Sequence, residues 1–364
     1  MSIAGDLSPP ASLEELVRRR TVLVGSTVAV VAAIFALVAV VSLGTGALAI
    51  PADRVVAILA DFAAGGADTN DRDTLVLLSI RLPRLLTGML IGATLAVGGA
   101  LMQGLFRNPL ADPGLVGVSS GALLAAALTI VVGDALLARH AVAAGFVALP
   151  PAAFVGGLVT TLLLYTVATR RGQTSIATML LAGIAVQAVA GAGIGVLQYL
   201  SDDRQLRDLT FWTMGSLGGA TWSKLAIVAP VLLACLAVVP FLARGLNALL
   251  LGEAEALFMG LSVQRIKFAT IAVVALGIGT AVSVGGLIGF VGIVVPHVLR
   301  LFVGSDHRAL LPLSAAGGAV LLVGADTLAR TVVAPAELPI GIVTAVIGAP
   351  FFLWLVASGK RSLT

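Results

Sequence analysis

Few residues in this 364-residue chain are equipped for chemistry, and they come in pairs. Arg81 and Arg84 open the stretch "RLPRLLTGMLIGATLAVGGALMQGLFRNPLADPG". Asp326 and Arg330 lie one helical turn apart inside an apolar segment, a spacing that lets a carboxylate and a guanidinium meet on one helix face. Arg204 and Arg207 are also about one turn apart, beside Phe211, Trp212 and Trp222 in "RQLRDLTFWTMGSLGGATW". Guanidinium forks recognise carboxylates. Beside aromatic rings they suit a flat anionic solute, although aromatics at a membrane face also serve as interfacial anchors.

Catalytic constellations are missing from the sequence. No G-x-x-x-x-G-K-[ST] phosphate loop occurs: only Lys360 follows a glycine, and Trp354 stands where the first glycine belongs. His140, His297 and His307 are scattered without metal-ligand spacing. The serines of "GLVGVSSG" open an apolar helix and do not follow a strand, so they form no nucleophile elbow. No catalytic residue, no metal site and no cofactor of its own are expected for this chain.

The rest of the sequence is built to hold these few groups in lipid. Apolar residues make up 59% and charged residues 11%, against the quarter or so of charged residues usual in soluble domains. The formal charge of +4 comes from arginines spread singly or in pairs at segment ends, not from a nucleic-acid-binding patch. The lone Cys235 lies in an apolar run and permits no intrachain disulfide. The N-terminal apolar run is longer than a signal-peptide core and reads as a retained first span.

Segments of about 20 apolar residues are found at 21–43, 84–106, 114–133, 147–169, 176–198, 223–243, 265–284, 286–303, 309–330 and 338–357. The expectation is an all-α polytopic membrane protein with ten transmembrane helices over 21–357. Tails at 1–20 and 358–364 flank this region. Placing both termini in the cytoplasm puts most lysines and arginines inside, as the positive-inside rule requires. Small residues recur every fourth position at Gly88, Gly92, Ala96, Ala100 and Gly104, and again at Gly183, Gly191 and Gly195 with Gln187 on the same stripe. Such stripes let helices approach closely in lipid, and Gln187 also suits a polar path.

Two inner loops carry further signals. "FRNPLADPG" ends one helix and caps the next through Asn108, Asp112 and its prolines. The segment at about 250–264, "LLLGEAEALFMGLSV", reads as a short helix from Glu253 to Met259 stopped by Gly260, followed by a second helix start. An exposed inner helix pair of this kind suits docking.

"RLPRLLTGMLIGATLAVGGALMQGLFRNPLADPGLVGVSSGA", "GLIGFVGIVVPHVLRLFVGSDHRALLPLSAAGGAVLLVGADTLAR" and "ELPIGIVTAVIGAPFFLWL" together resemble the FecCD-type permease subunits of bacterial ABC importers for iron–siderophores, haem and vitamin B12. The resemblance implies a type II ABC importer permease fold in the bacterial inner membrane. It also implies a homodimer with the solute path on the twofold axis, two copies of a separate ATPase that binds ATP and Mg, and a periplasmic binding protein. It assigns docking of the binding protein to Arg81, Arg84 and Arg330, and coupling to the ATPase to Gly252, Glu253, Ala256 and Gly260. "RQLRDLTFWTMGSLGGATW" looks most like the haem-importing branch, so haem or a related iron chelate is the expected solute. Gln187, Ser120, Arg204, Arg207 and Trp212 are the expected path residues, with Ser120 standing where family members have Asn. His297 falls near the inner end of its span and is not expected to ligate haem. A ferric siderophore or vitamin B12 as solute, an ATP-independent carrier, and a membrane receptor without transport are the alternatives.

Overall fold

The computed structural model describes residues 13–66, 70–133 and 144–359. The expected tails beyond these limits and His140 lie outside the described residues. The chain folds into helices, with one two-stranded hairpin between them. Among the described residues seven helices are long and apolar enough to cross a membrane. They are α1 (Leu13–Gly44), α3 (Arg72–Phe106), α5 (Ala144–Ala168), α6 (Ile176–Leu200), α8 (Trp222–Leu251), α10 (Val263–Gly285) and α12 (His307–Thr331).

The apolar helices α4 (Val118–Gly133), α11 (Val291–Val303) and α13 (Ile340–Gly359) occupy the third, eighth and tenth expected spans, each with a shorter apolar stretch. Local backbone explains the shortening. A 3-10 turn at Pro113–Val116 and a left-handed Gly117 (φ 76°) delay α4. Residues 286–290 are not helical, because Gly286 and Phe290 both adopt positive φ.

α2 (Ala52–Ala63) lies between α1 and α3, where the sequence suggested only an outer loop. It buries Val55 and Ile58 against Leu43, Leu77 and Leu85. The second expected span also starts earlier than 84. Asp71 accepts a hydrogen bond from the Thr74 N–H and caps a helix that continues through a π-helical turn at Leu77–Arg81 into Leu82–Phe106. The wider turn sits just before Pro83, whose missing N–H interrupts regular pairing. At 35 residues this helix is roughly 50 Å long, well beyond the ~30 Å hydrocarbon core. Arg81 and Arg84 lie within this continuous helix, not at its start.

α3 is the central pillar, packed by α8, α10, α11 and α12. Its small residues make this closeness possible. Gly92 meets the Gly318 backbone of α12, Gly99 meets Gly292 of α11, and Gly104 meets the His307 ring. Backbone-to-backbone approach replaces the hydrophobic drive that lipid cannot supply. The α6 stripe behaves differently: Gly183 is buried, but Gly191 and Gly195 have open space where a side chain would stand.

On the inner side, β1 (Thr169–Arg170) pairs antiparallel with β2 (Gln173–Thr174). Arg171 and Gly172 turn the hairpin with positive φ, the conformation favoured by two-residue hairpins. α9 (Glu253–Phe258) links α8 to α10, and α7 (Asp203–Met214) links α6 to α8.

Candidate functional site

A cavity of about 810 Å³ lies between α4, α6, α10 and α13. Its walls are mainly apolar, and its polar groups are few. Ser120 and Gln187, both expected on the path, line it together with Ser119, Thr213 and Asp112. Asp112 was expected only as a helix cap. It does cap, accepting from the Gly114 N–H at 2.7 Å, but it is also the charged residue lining the cavity. Burial pushes its carboxyl above the ordinary aspartate range.

A second cavity of about 360 Å³ adjoins it across a backbone seam. Trp212, Gly285 and Gly286 face this outer space, whereas Thr213, Met214, Leu287 and Ile288 face the larger one. The seam is held by the Ser216 N–H donating to the Gly285 carbonyl at 2.9 Å and the Ile340 N–H donating to the Gly215 carbonyl at 3.0 Å. Gly215 and Gly286 are required here: both have positive φ and their backbones nearly touch.

Arg204, Phe211 and Trp212 come together around the outer cavity with Asp208 and Lys224. Arg207 does not line it, contrary to its expected role beside Arg204. Both arginines sit on α7, fixed by the Asp202–Gln205 capping box, but only Arg204 is turned to the cavity wall, 3.9 Å from Asp208. Trp222 is spent structurally, its indole N–H donating to the Leu78 carbonyl at 2.8 Å.

The three expected docking arginines form one cluster at the outer end of α3 and α12, but they are not an exposed lip. Arg81 is 6% exposed and donates to the Leu43 and Leu48 carbonyls. Arg330 is 9% exposed and donates to the Ser42 side chain at 2.7 Å and the Thr45 carbonyl at 3.0 Å. Both therefore close the C-terminal end of α1, whose last carbonyls have no intrahelical partners. Asp326 does not pair chiefly with Arg330, 3.5 Å away. Its main partner is Arg84, which donates to it through Nε and through Nη2 at 2.8 Å. The far side of the same guanidinium grips Glu337 at 2.9 Å and 3.0 Å.

Those bonds to Arg84 hold the Glu337 carboxyl below the usual glutamate range. A carboxylate lowered on folding adds stability that is complete above its unfolded value of 4.5 and disappears as pH falls through the lower folded value. Acidification from about pH 7 to about pH 3 is thus expected to lower the unfolding midpoint less steeply in Glu337→Gln than in the parent. Equal slopes would show that Glu337 makes no such contribution.

On the inner side the helix pair forms as the sequence indicates. Gly252 (φ 137°) and Gly260 (φ 77°) bracket α9, and a Cβ at Gly252 would strike the Glu255 carboxylate. Ala256 is fully buried, while Leu257, Phe258 and Met259 are exposed, Phe258 at 93%. Glu253 forms an ion pair at 2.8 Å with Lys267, which is almost wholly buried. Lys267 Nζ also donates to the Thr174 carbonyl at 2.9 Å, and Gln264 accepts from the Thr174 N–H at 3.0 Å. One residue of the β-hairpin, Thr174, is thereby held at both its N–H and its carbonyl by two α10 side chains about one turn apart. α9, the hairpin and α10 are held as a unit.

The sequence reading missed Glu337, Lys267 and the cavity role of Asp112. Asp112 was visible as an acid flanked by prolines, but a loop motif does not say which space it faces. His297 is absent from both cavities and packs edge-on against Phe351. Among the described residues no group of His, Cys, Asp and Glu is placed to hold a metal ion.

This arrangement matches known transport proteins along most of the chain. The model of the FecCD transport family matches residues 32–358. The hemin transport system permease protein HmuU of Yersinia pestis is 49% identical over 79% of this chain and 85% of its own length. The cobalamin import system permease protein BtuC of Halobacterium salinarum is 45% identical over 76% and 72%. Among solved structures, an inward-facing metal-chelate type ABC transporter superposes with a TM-score of 0.78 at 30% identity, covering 93% of this chain and 99% of that one. A helical bundle with seven helices among the described residues long and apolar enough to cross a membrane, a mainly apolar cavity and a family match over residues 32–358 thus have one reading: the chain belongs to the FecCD transport family.

Proposed function

We propose that this chain is the permease subunit of an ATP-driven importer that passes haem from a periplasmic binding protein to the cytoplasm. The observation that carries the haem assignment is the 49% identity to a hemin permease across most of both chains. The outer cavity supports it: Trp212 and Phe211 offer aromatic faces to a flat macrocycle, and Arg204 and Lys224 offer charge to its carboxylates. Ser120 and Gln187 belong to the inner, larger chamber. Arg207 keeps a place only as an exposed charge that steers anions toward the mouth.

The remaining roles fit the contacts. Two copies of the chain assemble as a homodimer around the path, since α6 and α13 line the cavity and leave Leu181, Ile184, Val189, Val346 and Leu353 exposed. Arg84 takes an acidic side chain of the binding protein in exchange for the half-exposed Glu337 that holds its outer side, and Arg81 and Arg330 brace the α1–α2 connector beside it. Gly252, Glu253, Ala256 and Gly260 set α9 so that Leu257 and Phe258 enter a groove on each of two ATPase subunits, which bind ATP and Mg. The clamp through Lys267 passes their motion to α10 and the cavity wall. This chain breaks no bond itself.

The test is uptake into ATP-loaded proteoliposomes containing the permease and its partner ATPase. Binding protein loaded with haem, cobalamin or a ferric hydroxamate is added outside. ATP-dependent accumulation of haem is expected. Accumulation of cobalamin or ferric hydroxamate in its place would retain the permease and discard haem, and uptake indifferent to ATP would overturn the mechanism.

A further inference from the structure

α1 is tightly packed only at its outer end. Ser42 and Leu43 are buried there under the Arg330 and Arg81 hydrogen bonds, whereas the stretch from Thr21 onward leaves its residues largely exposed. Toward the cytoplasmic side, where Val24 and Val31 are only partly buried against the main core, α1 and α12 enclose a groove of about 760 Å³. That volume lies within the ~300–1,000 Å³ range of ligand pockets. Its walls are Val24, Val28 and Phe35 of α1 and Pro312 and Leu313 of α12. At hydrocarbon depth such a space is filled by whatever apolar chains are at hand.

The groove's mouth is charged. Arg308 lines it, is exposed, and makes no ion pair with any described residue. Arg18, also exposed, stands about one helical turn before Thr21, the first α1 residue of the groove wall. The acid at this mouth, Asp306, has Oδ1 engaged by the Asn247 amide at 2.6 Å and by the Arg308 N–H at 3.0 Å, so it caps α12. A guanidinium at the mouth of an apolar cleft at the cytoplasmic surface, with a second about one turn from the cleft wall, matches a phosphate on two acyl chains. We propose that the α1–α12 groove is a binding site for an anionic phospholipid of the cytoplasmic leaflet. Its acyl chains lie along Val28, Phe35 and Leu313, and its phosphate meets Arg308 and Arg18. The site is independent of the solute path.

Native mass spectrometry of the full-length permease tests this, after reconstitution in mixed phosphatidylglycerol, cardiolipin and phosphatidylcholine. The parent is expected to retain anionic lipid selectively. Arg308→Gln should cut that selectivity roughly five-fold, the scale for one basic residue at an anionic surface. Ala316→Phe, which fills the groove without touching either arginine, should displace the lipid. A photo-crosslinking residue at Val28 should label phospholipid. Equal retention of phosphatidylcholine, undiminished selectivity in both variants, or crosslinks to a second copy of the chain would each overturn the proposal.

Discussion

Asp326→Asn is expected to destabilise the permease by about 3 kcal/mol, the lower end of the cost of stripping one partner from a buried ion pair. The side chain is 4% exposed and Arg84 only 11%. The carboxylate also neutralises Arg330, whose Nε has no hydrogen-bond partner and lies 3.5 Å away. Removing its charge leaves the three guanidinium groups of the cluster together, with Glu337 as the carboxylate still bonded to one of them. Glu337→Gln should cost far less, because Glu337 is 44% exposed and water replaces its bonds. Reversible unfolding in mixed micelles reads both. A loss below about 0.5 kcal/mol for Asp326→Asn would show that the cluster is hydrated and that Asp326 is not its counter-charge.

Gly99→Ala should have the second large effect. A Cβ there would overlap the Gly292 carbonyl, and the nearest atoms are all backbone, so no side-chain rotation relieves the clash. α11 would have to retreat from α3. The same shift would stretch the bond from the Gln103 amide to the Gly292 carbonyl, now 3.1 Å, and disturb Arg300, which donates to Gln103 at 3.0 Å. Overpacking typically costs about 1–3 kcal/mol, and here a buried hydrogen-bonded chain is lost as well. The expected cost is at the top of that range, with a lower yield of folded protein. Gly25→Ala is the control. Nothing lies within 4 Å of that position, and alanine in place of an exposed helical glycine should be neutral or gain up to about 1 kcal/mol. Equal effects from the two substitutions would show that α3 and α11 do not meet at Gly99.

In this chain, these two positions divide the labour of holding the bundle together. The outer charge cluster fixes α1, α3, α12 and the Glu337 connector to one another. The glycine contacts fix α3 against α11 and α12. The cavity lies beside this rigid half, lined by α4, α6 and α13 from the other side. An alternating-access motion that leaves the α3 contacts intact can therefore reshape the cavity by moving those helices and α7.

Much of this was legible without coordinates because lipid leaves a chain few choices. Apolar segments of about 20 residues must be helices, since every backbone N–H and C=O must be satisfied within the segment. Their positions, the close-packing stripe of α3 and the α9 turn between Gly252 and Gly260 all follow from local spacing. Motifs that persist along the chain carried the family. Local spacing also misled where two elements share a turn. The sequence shows that Asp326 and Arg330 are one turn apart, but not that Arg84, 242 positions earlier in the chain, comes closer.

Partnership and facing were decided by the tertiary structure. A run of apolar residues has almost no amphipathic signal to say which side meets protein and which meets lipid. The Gly191–Gly195 stripe and the Gly88–Gly104 stripe thus look alike on paper, yet only the second packs closely within this chain. Exposure of charge was equally hidden. Arg81 and Arg330 read as surface charges because isolated arginines are costly in an apolar environment; they are buried because the free carbonyls at the end of α1 receive them. The sequence by itself determined that this is a helical membrane permease with its charges at the ends. Which of those charges are free to meet a partner depended on long-range packing, the one kind of information that spacing along a chain does not hold.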